Sequence, residues 1–127
     1  YIPFWANIAT PKQFAMARKL FDNKKKFSTY IPFPTIAADN PKYDPKGYWR
    51  GPIWLDQTYY GIKGYRNYGE NKKADAYTDQ VFRNLEGISA GTPIHENYDT
   101  HTGKPLKASH FSWSAACLLM LYNDYGK

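Results

Sequence analysis

The 127-residue chain has the length of a single domain, and its 43% hydrophobic and 22% charged residues are typical of a protein with a packed core. Its net charge of +6 could suggest an anionic partner, but the lysine runs 24–26 and 72–73 contain no interleaved aromatic residues, so nucleic-acid binding is not expected. No apolar run approaches the roughly 18 residues of a membrane span, and the single Cys117 excludes an intrachain disulfide.

Two helices are predicted in the first half of the chain. The first begins at Thr10, which can cap it, with Pro11 in its first turn, and it ends before the polar run at 23–26. The second runs from Pro52 to Gly69. The apolar face of the first consists of Phe14, Ala17, Leu20 and Phe21, and the inner stripe of the second consists of Trp54, Thr58, Gly61, Tyr65 and Tyr68.

Two further helices are predicted in the second half. In the first of them, apolar residues recur at steps of three and four before the stop at Gly91, namely Ala74, Tyr77, Val81, Leu85 and Ile88. The last helix begins near Ser112, and its sequence SWSAACLLMLYNDYG is apolar almost all round, which predicts burial between neighbours. Four helices offer only a modest core, so we expect the chain to be part of a larger helical assembly.

Two long segments rich in turn-forming residues, 31–47 and 91–110, separate these helices. Loops of this length in a compact domain are usually functional or disordered. Both contain apolar and aromatic residues, which favours function. Neither contains a convincing strand.

Glu96 is the candidate catalytic residue. It lies in the segment PIHENYDTHTGKP, framed by Pro93, Gly103 and Pro105, and a scaffold can aim a loop carboxylate held between turn residues into a cleft. Sugar hydrolysis needs such a carboxylate, either to activate water or to attack the anomeric carbon. The spacing alone leaves open the alternative of a solvated surface glutamate.

A metal site is the second possibility in this segment, through His95, Asp99 and His101. Their spacing fits no standard zinc pattern and no calcium loop is visible, so we expect a hydrogen-bonded loop cluster, with no metal and no cofactor. Nucleophilic chemistry is also not expected at Ser112 and Ser114, because serines at the start of a helix usually cap it.

The octet GYWRGPIW, residues 47–54, is the candidate sugar-binding segment. Trp49 and Trp54 can stack on the apolar faces of a sugar ring, Arg50 can donate hydrogen bonds to hydroxyl groups, and Gly51 allows the backbone to approach a ligand closely. For Trp54, anchoring in the core remains an equal alternative.

Three segments together resemble the C-terminal third of the catalytic domain of glycoside hydrolase family 63, and most closely its bacterial α-glucosidase members. They are GYWRGPIWLDQTYYGIKGYRNYG, IHENYDTHTGKP and HFSWSAACLLMLYNDYG. They occur in the order found in the family and cover roughly residues 44–125.

The resemblance implies an all-α fold in which residues 1–127 form the C-terminal portion of a single (α/α)6 toroid, with helical hairpins and long functional loops around a sugar-binding funnel. It implies an inverting mechanism with Glu96 as general base. Trp49, Arg50, Gly51 and Trp113 match part of the wall of the subsite for the released glucose. Tyr98 is expected beside them at the substrate site, supporting the base by packing or a hydrogen bond.

The general acid of this family is an aspartate on an earlier helical hairpin. None of five aspartates sits in a comparable motif: Asp22, Asp39, Asp44, Asp56 and Asp75. We therefore expect the chain to be a segment of a longer polypeptide whose remainder supplies the acid, and the isolated chain to be inactive.

The substrate implied by the resemblance is an oligosaccharide with terminal α-linked glucose, although some members of the family act on mannosylglycerate or glucosylglycerate. Calcium occurs in some members, and a periplasmic or secreted bacterial location is implied. The alternative function is a non-catalytic helical module that binds sugar or a partner through the same aromatic residues.

Overall fold

The computed structural model of the chain describes residues 1–89 and 91–127. Within these residues the secondary structure is mainly helical, with one small antiparallel hairpin, and no helix is both long and apolar enough to cross a membrane. The elements in chain order are α1 (Ile2–Trp5), α2 (Pro11–Phe21), α3 (Leu55–Asn67), α4 (Asn71–Asn84), β1 (His95–Tyr98), β2 (Pro105–Ser109) and α5 (Ser112–Asp124).

Helix α2 begins where its capping signals predict. The Thr10 hydroxyl accepts a hydrogen bond from the backbone N–H of Gln13, and the Gln13 side chain accepts one from the backbone N–H of Thr10. Phe14 and Phe21 are buried as expected, but Leu20 of the predicted apolar face is exposed. The predicted helix is therefore confirmed, with a narrower buried face.

Helices α3 and α4 pack against each other, and the residues of their predicted stripes are largely buried. Thr58, Tyr65 and Val81 are fully buried, and Gly61 lets the ring of Phe33 approach so closely that a Cβ atom would lie 2.7 Å from it. Helix α4 ends at Asn84, short of the predicted stop at Gly91.

The hairpin of β1 and β2 was not predicted from the sequence. In the turn between the strands, the Asp99 carboxylate accepts the backbone N–H groups of His101 and Thr102. Gly103 has φ of +74° and lies against the end of α4, where a Cβ atom would be 1.9 Å from the Asn84 carbonyl oxygen. These short strands escape prediction because their pairing depends on this packed turn.

Strand β1 also pairs with the residues just before α3. Tyr98 and Ile53 exchange backbone hydrogen bonds in both directions, at 2.8 and 3.0 Å. This extended pairing moves the start of α3 from the predicted Pro52 to Leu55, and it holds the octet 47–54 beside β1.

Helix α5 packs against α3 and β1 through one face only. That face carries Ser114, Leu118, Leu121 and Cys117, and burial raises the pKa of the Cys117 thiol to about 11. Within the described residues, four large side chains on the rest of the helix are exposed: Trp113, Leu119, Met120 and Tyr122. Burial on all sides therefore stays a prediction for the larger helical assembly expected from the sequence.

An aspartate joins α2 to the core between α3 and α4. Asp22 accepts hydrogen bonds from the hydroxyl groups of Tyr65 and Tyr77, each at 2.8 Å, and from Arg18 at 3.1 Å. Burial raises the pKa of Asp22, but these hydrogen bonds and the nearby Lys73 charge outweigh it and leave the pKa below its usual value. Asp22 is therefore structural and ionised at neutral pH.

Candidate active site

Glu96 lies in β1 and its backbone is fixed from two sides. Between the pairs His95–Ser109 and Asn97–Leu106 of the hairpin, Glu96 lies opposite two residues of β2, Lys107 and Ala108, so the bulge is in β2. On the other side, the buried Ser114 hydroxyl of α5 donates a hydrogen bond of 3.0 Å to the Glu96 carbonyl oxygen. The carboxylate therefore stands on paired backbone, where the sequence indicated only a loop.

The Glu96 side chain is half-buried and has one hydrogen-bond donor among the described residues. The Tyr48 hydroxyl donates to Glu96 Oε1 at 2.8 Å. This hydrogen bond to a carboxylate raises the pKa of Tyr48, because a phenolate there would lose it and face a second negative charge. Oε2 has no protein donor among the described residues.

An aromatic cluster, defined here as Tyr48, Trp49, Trp54 and Trp113, lies beside this carboxylate. Trp54 is its centre and is only 3% exposed. Trp49 stacks on it with ring centroids 4.1 Å apart, while Tyr48 and Trp113 meet it edge to face at 5.1 and 5.8 Å. The three outer members are between 44% and 47% exposed, so their faces are available to a ligand.

The loop that carries Tyr48 and Trp49 is held by its own backbone. Backbone hydrogen bonds of 2.7 to 3.0 Å link Asp44, Gly47 and Arg50 to one another. The Trp54 indole N–H donates to the Tyr48 carbonyl oxygen at 2.9 Å. The indole thus fixes the aromatic cluster to the loop as well as filling the core.

The structure brings together four of the residues expected at the site: Glu96, Trp49, Trp54 and Trp113. Arg50 is exposed at the edge of the loop, where its guanidinium lies 3.7 Å from the Asp44 carboxylate. Among the described residues, its partner is therefore this aspartate. Between the two alternatives for Trp54, its burial favours the core anchor.

The expectations for Gly51 and Tyr98 need correction. Gly51 has φ of +152°, and a Cβ atom there would lie 2.3 Å from the Asp44 carbonyl oxygen, so the close approach is to the chain itself. Its N–H and C=O groups bond to the side chains of Thr35 and Thr100. Tyr98 is 0% exposed and leaves no surface for a sugar.

Tyr98 instead supports the strand that carries the carboxylate. Its hydroxyl accepts the backbone N–H of His95 at 3.0 Å, and its backbone pairs with Ile53. This arrangement agrees with a supporting role by packing, and it replaces the expected place in the substrate site.

Sequence reasoning missed Tyr48 and the role of Ser114. Tyr48 stands inside the octet, but nothing local indicates that its hydroxyl reaches a residue 48 positions away. Ser114 was expected to cap the last helix, yet α5 has no side-chain cap and the hydroxyl bonds to Glu96.

The metal alternative finds no support in the geometry of the turn. The Asp99 carboxylate is buried and occupied by the backbone N–H groups of His101 and Thr102, at 2.9 and 3.1 Å. Among residues 1–89 and 91–127, no group of three or more His, Cys, Asp or Glu side chains is arranged to hold a metal ion.

A fixed carboxylate beside exposed indole rings is the arrangement used by proteins that bind and cleave carbohydrates. The comparison with known families agrees with this class. Residues 1–114 match the model of the mannosylglycerate hydrolase MGH1-like glycoside hydrolase domain, and the chain belongs to this family.

Several relatives with assigned activities are similar in sequence. A mannosylglycerate hydrolase from Thermus thermophilus is 34% identical over 91 residues, which is 68% of this chain and 20% of the relative. Mannosylglycerate hydrolase MGH1 from Selaginella moellendorffii is 29% identical over 124 residues, 96% of this chain and 24% of the relative. A glucosylglycerate hydrolase from Mycolicibacterium hassiacum is 28% identical over 86 residues, 68% of this chain and 18% of the relative.

The solved structures show the fold. The GH63 mannosylglycerate hydrolase from Thermus thermophilus in complex with glucose matches with a TM-score of 0.74 at 23% identity, over 95% of this chain and 28% of that one. A second structure from the same organism gives a TM-score of 0.79 at 24% identity, with the same coverage of both chains. The expected (α/α)6-type fold class of family 63 is therefore confirmed. The chain spans about a fifth to a quarter of the length of the relatives it matches.

Proposed function

We propose that this chain carries the general base, Glu96, and part of the sugar-binding wall of an inverting glycoside hydrolase. The observation that carries the proposal is a half-buried carboxylate placed beside the exposed side chains of Trp49 and Trp113. One of its oxygens accepts a hydrogen bond from Tyr48, and the other has no protein donor among the described residues. Membership of a glycoside hydrolase family supports the same chemistry.

In the proposed reaction, a water molecule lies between Glu96 Oε2 and the anomeric carbon. Glu96 accepts a proton from the water as its oxygen forms a bond to the anomeric carbon from the face opposite the leaving group. The glycosidic C–O bond breaks, and a general acid protonates the departing oxygen. The product of an α-glycoside is then the β-anomer.

The general acid is proposed to be an aspartate in the remainder of the same polypeptide. The sequence places no acid motif in this chain, and inverting pairs of carboxyl groups stand about 6.5–9.5 Å apart to leave room for the water. The full-length polypeptide, rather than this chain alone, is therefore the proposed enzyme.

The proposed substrate is a small α-glycoside with glucose or mannose at its non-reducing end. The relatives named as mannosylglycerate and glucosylglycerate hydrolases favour a glycoside of glycerate over the larger oligosaccharide expected from the sequence. In either case the aromatic cluster meets the apolar face of the hexose ring, and this interaction does not depend on the leaving group.

The test is Glu96→Gln in the full-length polypeptide, assayed with α-mannosylglycerate and α-glucosylglycerate. We expect kcat to fall by about 10²–10⁴-fold, because the variant cannot accept the proton from water. Glu86→Gln, at an exposed glutamate, is the matched control and should retain activity. Proton NMR of the first turnovers should show the β-anomer.

A second experiment assigns the role of the carboxylate. With an α-glycosyl fluoride as substrate, azide should restore turnover to Glu96→Ala, since the anion replaces the activated water and fluoride needs no acid to leave. The expected product is the β-glycosyl azide. Full activity of Glu96→Gln with undiminished sugar binding would instead support the alternative function, in which this chain binds sugar and takes no part in the catalytic step.

A further inference from the structure

Tyr48 is the one described side chain whose polar group contacts the Glu96 carboxylate. Its hydroxyl donates to Oε1 at 2.8 Å, across a separation of 48 residues in the sequence. The contact joins the loop before α3 to strand β1, and the Ile53–Tyr98 pairing holds these two segments side by side.

The ring of Tyr48 is held rigidly enough to aim this hydroxyl. It meets Trp54 edge to face, with ring centroids 5.1 Å apart and an interplanar angle of 79°, and it lies 6.2 Å from Trp49. Its backbone has φ of +57°, a region that residues other than glycine seldom adopt, and its carbonyl oxygen accepts the Trp54 indole N–H. Trp54 therefore fixes both ends of the residue.

Positive φ at a non-glycine residue usually persists only where the surroundings impose it. Glycine would adopt this conformation at position 48 more easily, but it has no side chain. The tyrosine that stands there places its phenol against the candidate base. The raised pKa of Tyr48 keeps this phenol protonated, so it remains a donor throughout the neutral and mildly alkaline range.

We propose that Tyr48 is a positioning residue for the general base: its hydroxyl holds Glu96 Oε1 and thereby presents Oε2 to the attacking water. The inference rests on the proposed function and deepens it. A carboxylate on a flexible side chain can rotate about its last bond, and a single fixed hydrogen bond removes that freedom while leaving the second oxygen available.

The hydroxyl of Ser114 supplies the complementary constraint. It bonds to the carbonyl oxygen of Glu96 at 3.0 Å and so fixes the backbone, whereas Tyr48 fixes the carboxylate. The two contacts come from the start of α5 and from the loop before α3. The orientation of the base is therefore set by two elements that are far apart in the sequence.

The test is Tyr48→Phe in the full-length polypeptide, because this change removes the hydroxyl and keeps the ring. We expect kcat to fall by roughly 10- to 100-fold, the usual effect of losing a hydrogen bond to a charged group, with KM unchanged within about twofold. Tyr30→Phe is the control, since Tyr30 is similarly exposed and lies outside the site. The unfolding temperature of each variant is measured in parallel.

A second readout separates positioning from a merely structural effect. If Tyr48 acts only through the Glu96 carboxylate, adding Tyr48→Phe to Glu96→Gln should lower kcat little further, whereas a structural effect would lower kcat by the same factor in both backgrounds.

Three results would overturn the inference in distinguishable ways. If Tyr48→Phe turns over like wild type while Glu96→Gln is inactive, Tyr48 does not position the base, and the proposed function stands. If KM rises and kcat is unchanged, Tyr48 is a substrate contact instead. If Glu96→Gln is fully active, the proposed function fails and the positioning role fails with it.

Discussion

Trp49 lies flat on Trp54, with the ring centroids 4.1 Å apart and the planes inclined by 8°. Trp54 is 3% exposed and Trp49 is 44% exposed, so the buried indole of Trp54 supports and orients the exposed indole of Trp49. This pairing explains why two tryptophans stand five residues apart in the octet 47–54. One anchors the core, and the other presents a rigid apolar face beside Glu96.

Trp49→Ala should therefore weaken sugar binding in the full-length polypeptide without removing the base. An aromatic stacking contact contributes about 0.5–1.5 kcal/mol beyond the area that it buries, so we expect KM or the Kd for the hexose to rise about 2- to 13-fold. Steady-state kinetics and calorimetry measure it. Trp5→Ala is the control, because Trp5 is 41% exposed and packs against Tyr60 at a tilt of 44° outside the site. An equal loss in both variants would contradict the assignment.

Gly51→Ala should destabilise the loop that carries Trp49. The added Cβ would lie 2.3 Å from the Asp44 carbonyl oxygen, a backbone atom that cannot move aside alone, so we expect a loss of more than about 2 kcal/mol in the free energy of unfolding. Gly69→Ala provides the comparison. Gly69 has φ of +79° and nothing within 4 Å of the added atom, so only the conformational cost of about 1–2 kcal/mol applies. Denaturant unfolding that ranks the two variants in the opposite order would refute this account.

Asp22→Asn should lower stability at neutral pH and make it less sensitive to acid. The carboxylate accepts hydrogen bonds from Tyr65, Tyr77 and Arg18, and we expect a loss of about 1–3 kcal/mol. Because the folded-state pKa lies below the ordinary value of about 3.9, the stabilisation is complete above that pH and disappears as the pH falls through the folded-state pKa.

Thermal unfolding of wild type and Asp22→Asn from pH 7 to pH 2 measures the effect. The difference between them should be constant at neutral pH and shrink below about pH 4. Asp39→Asn is the control, since Asp39 makes an exposed ion pair with Lys26 and should change stability by less than about 1 kcal/mol. A difference that grows on acidification would show that another group governs the transition.

The 127-residue chain expressed alone should bind sugar weakly at best and hydrolyse none. It lacks a recognisable general acid, and large apolar side chains are exposed on α2 and α5, including Met16, Leu20, Leu119 and Tyr122. Light scattering should show self-association, and circular dichroism should show a broad melt. A monomer with a sharp cooperative transition and measurable glycosidase activity would contradict the proposal that the remainder of the polypeptide is needed.

Local signals in the sequence were sufficient for the helices and for the family. Thr10, Pro11 and Gln13 specify the start of α2 through contacts within one turn, and the periodic residues of α3 and α4 define their facing sides. The segments around Trp49 and Glu96 carried the resemblance to family 63, which the family match confirms, and the solved structures confirm its fold. These features follow from residues that are neighbours in the chain.

The geometry of the site depended on contacts between distant residues, which local patterns cannot encode. Pairing with β2 formed a strand in the predicted loop around Glu96. The bridge between Ile53 and Tyr98 shortened α3 and brought Tyr48 to Glu96. Trp54 and Tyr98 are buried, so they do not offer the surface for a ligand that was expected of them. The close approach of the Asp44 carbonyl group explains why position 51 is glycine. The amino-acid sequence thus determined which residue types are available for carbohydrate chemistry. Only tertiary packing decided which of them face a ligand, because exposure and hydrogen-bond partners are set by segments that meet in space.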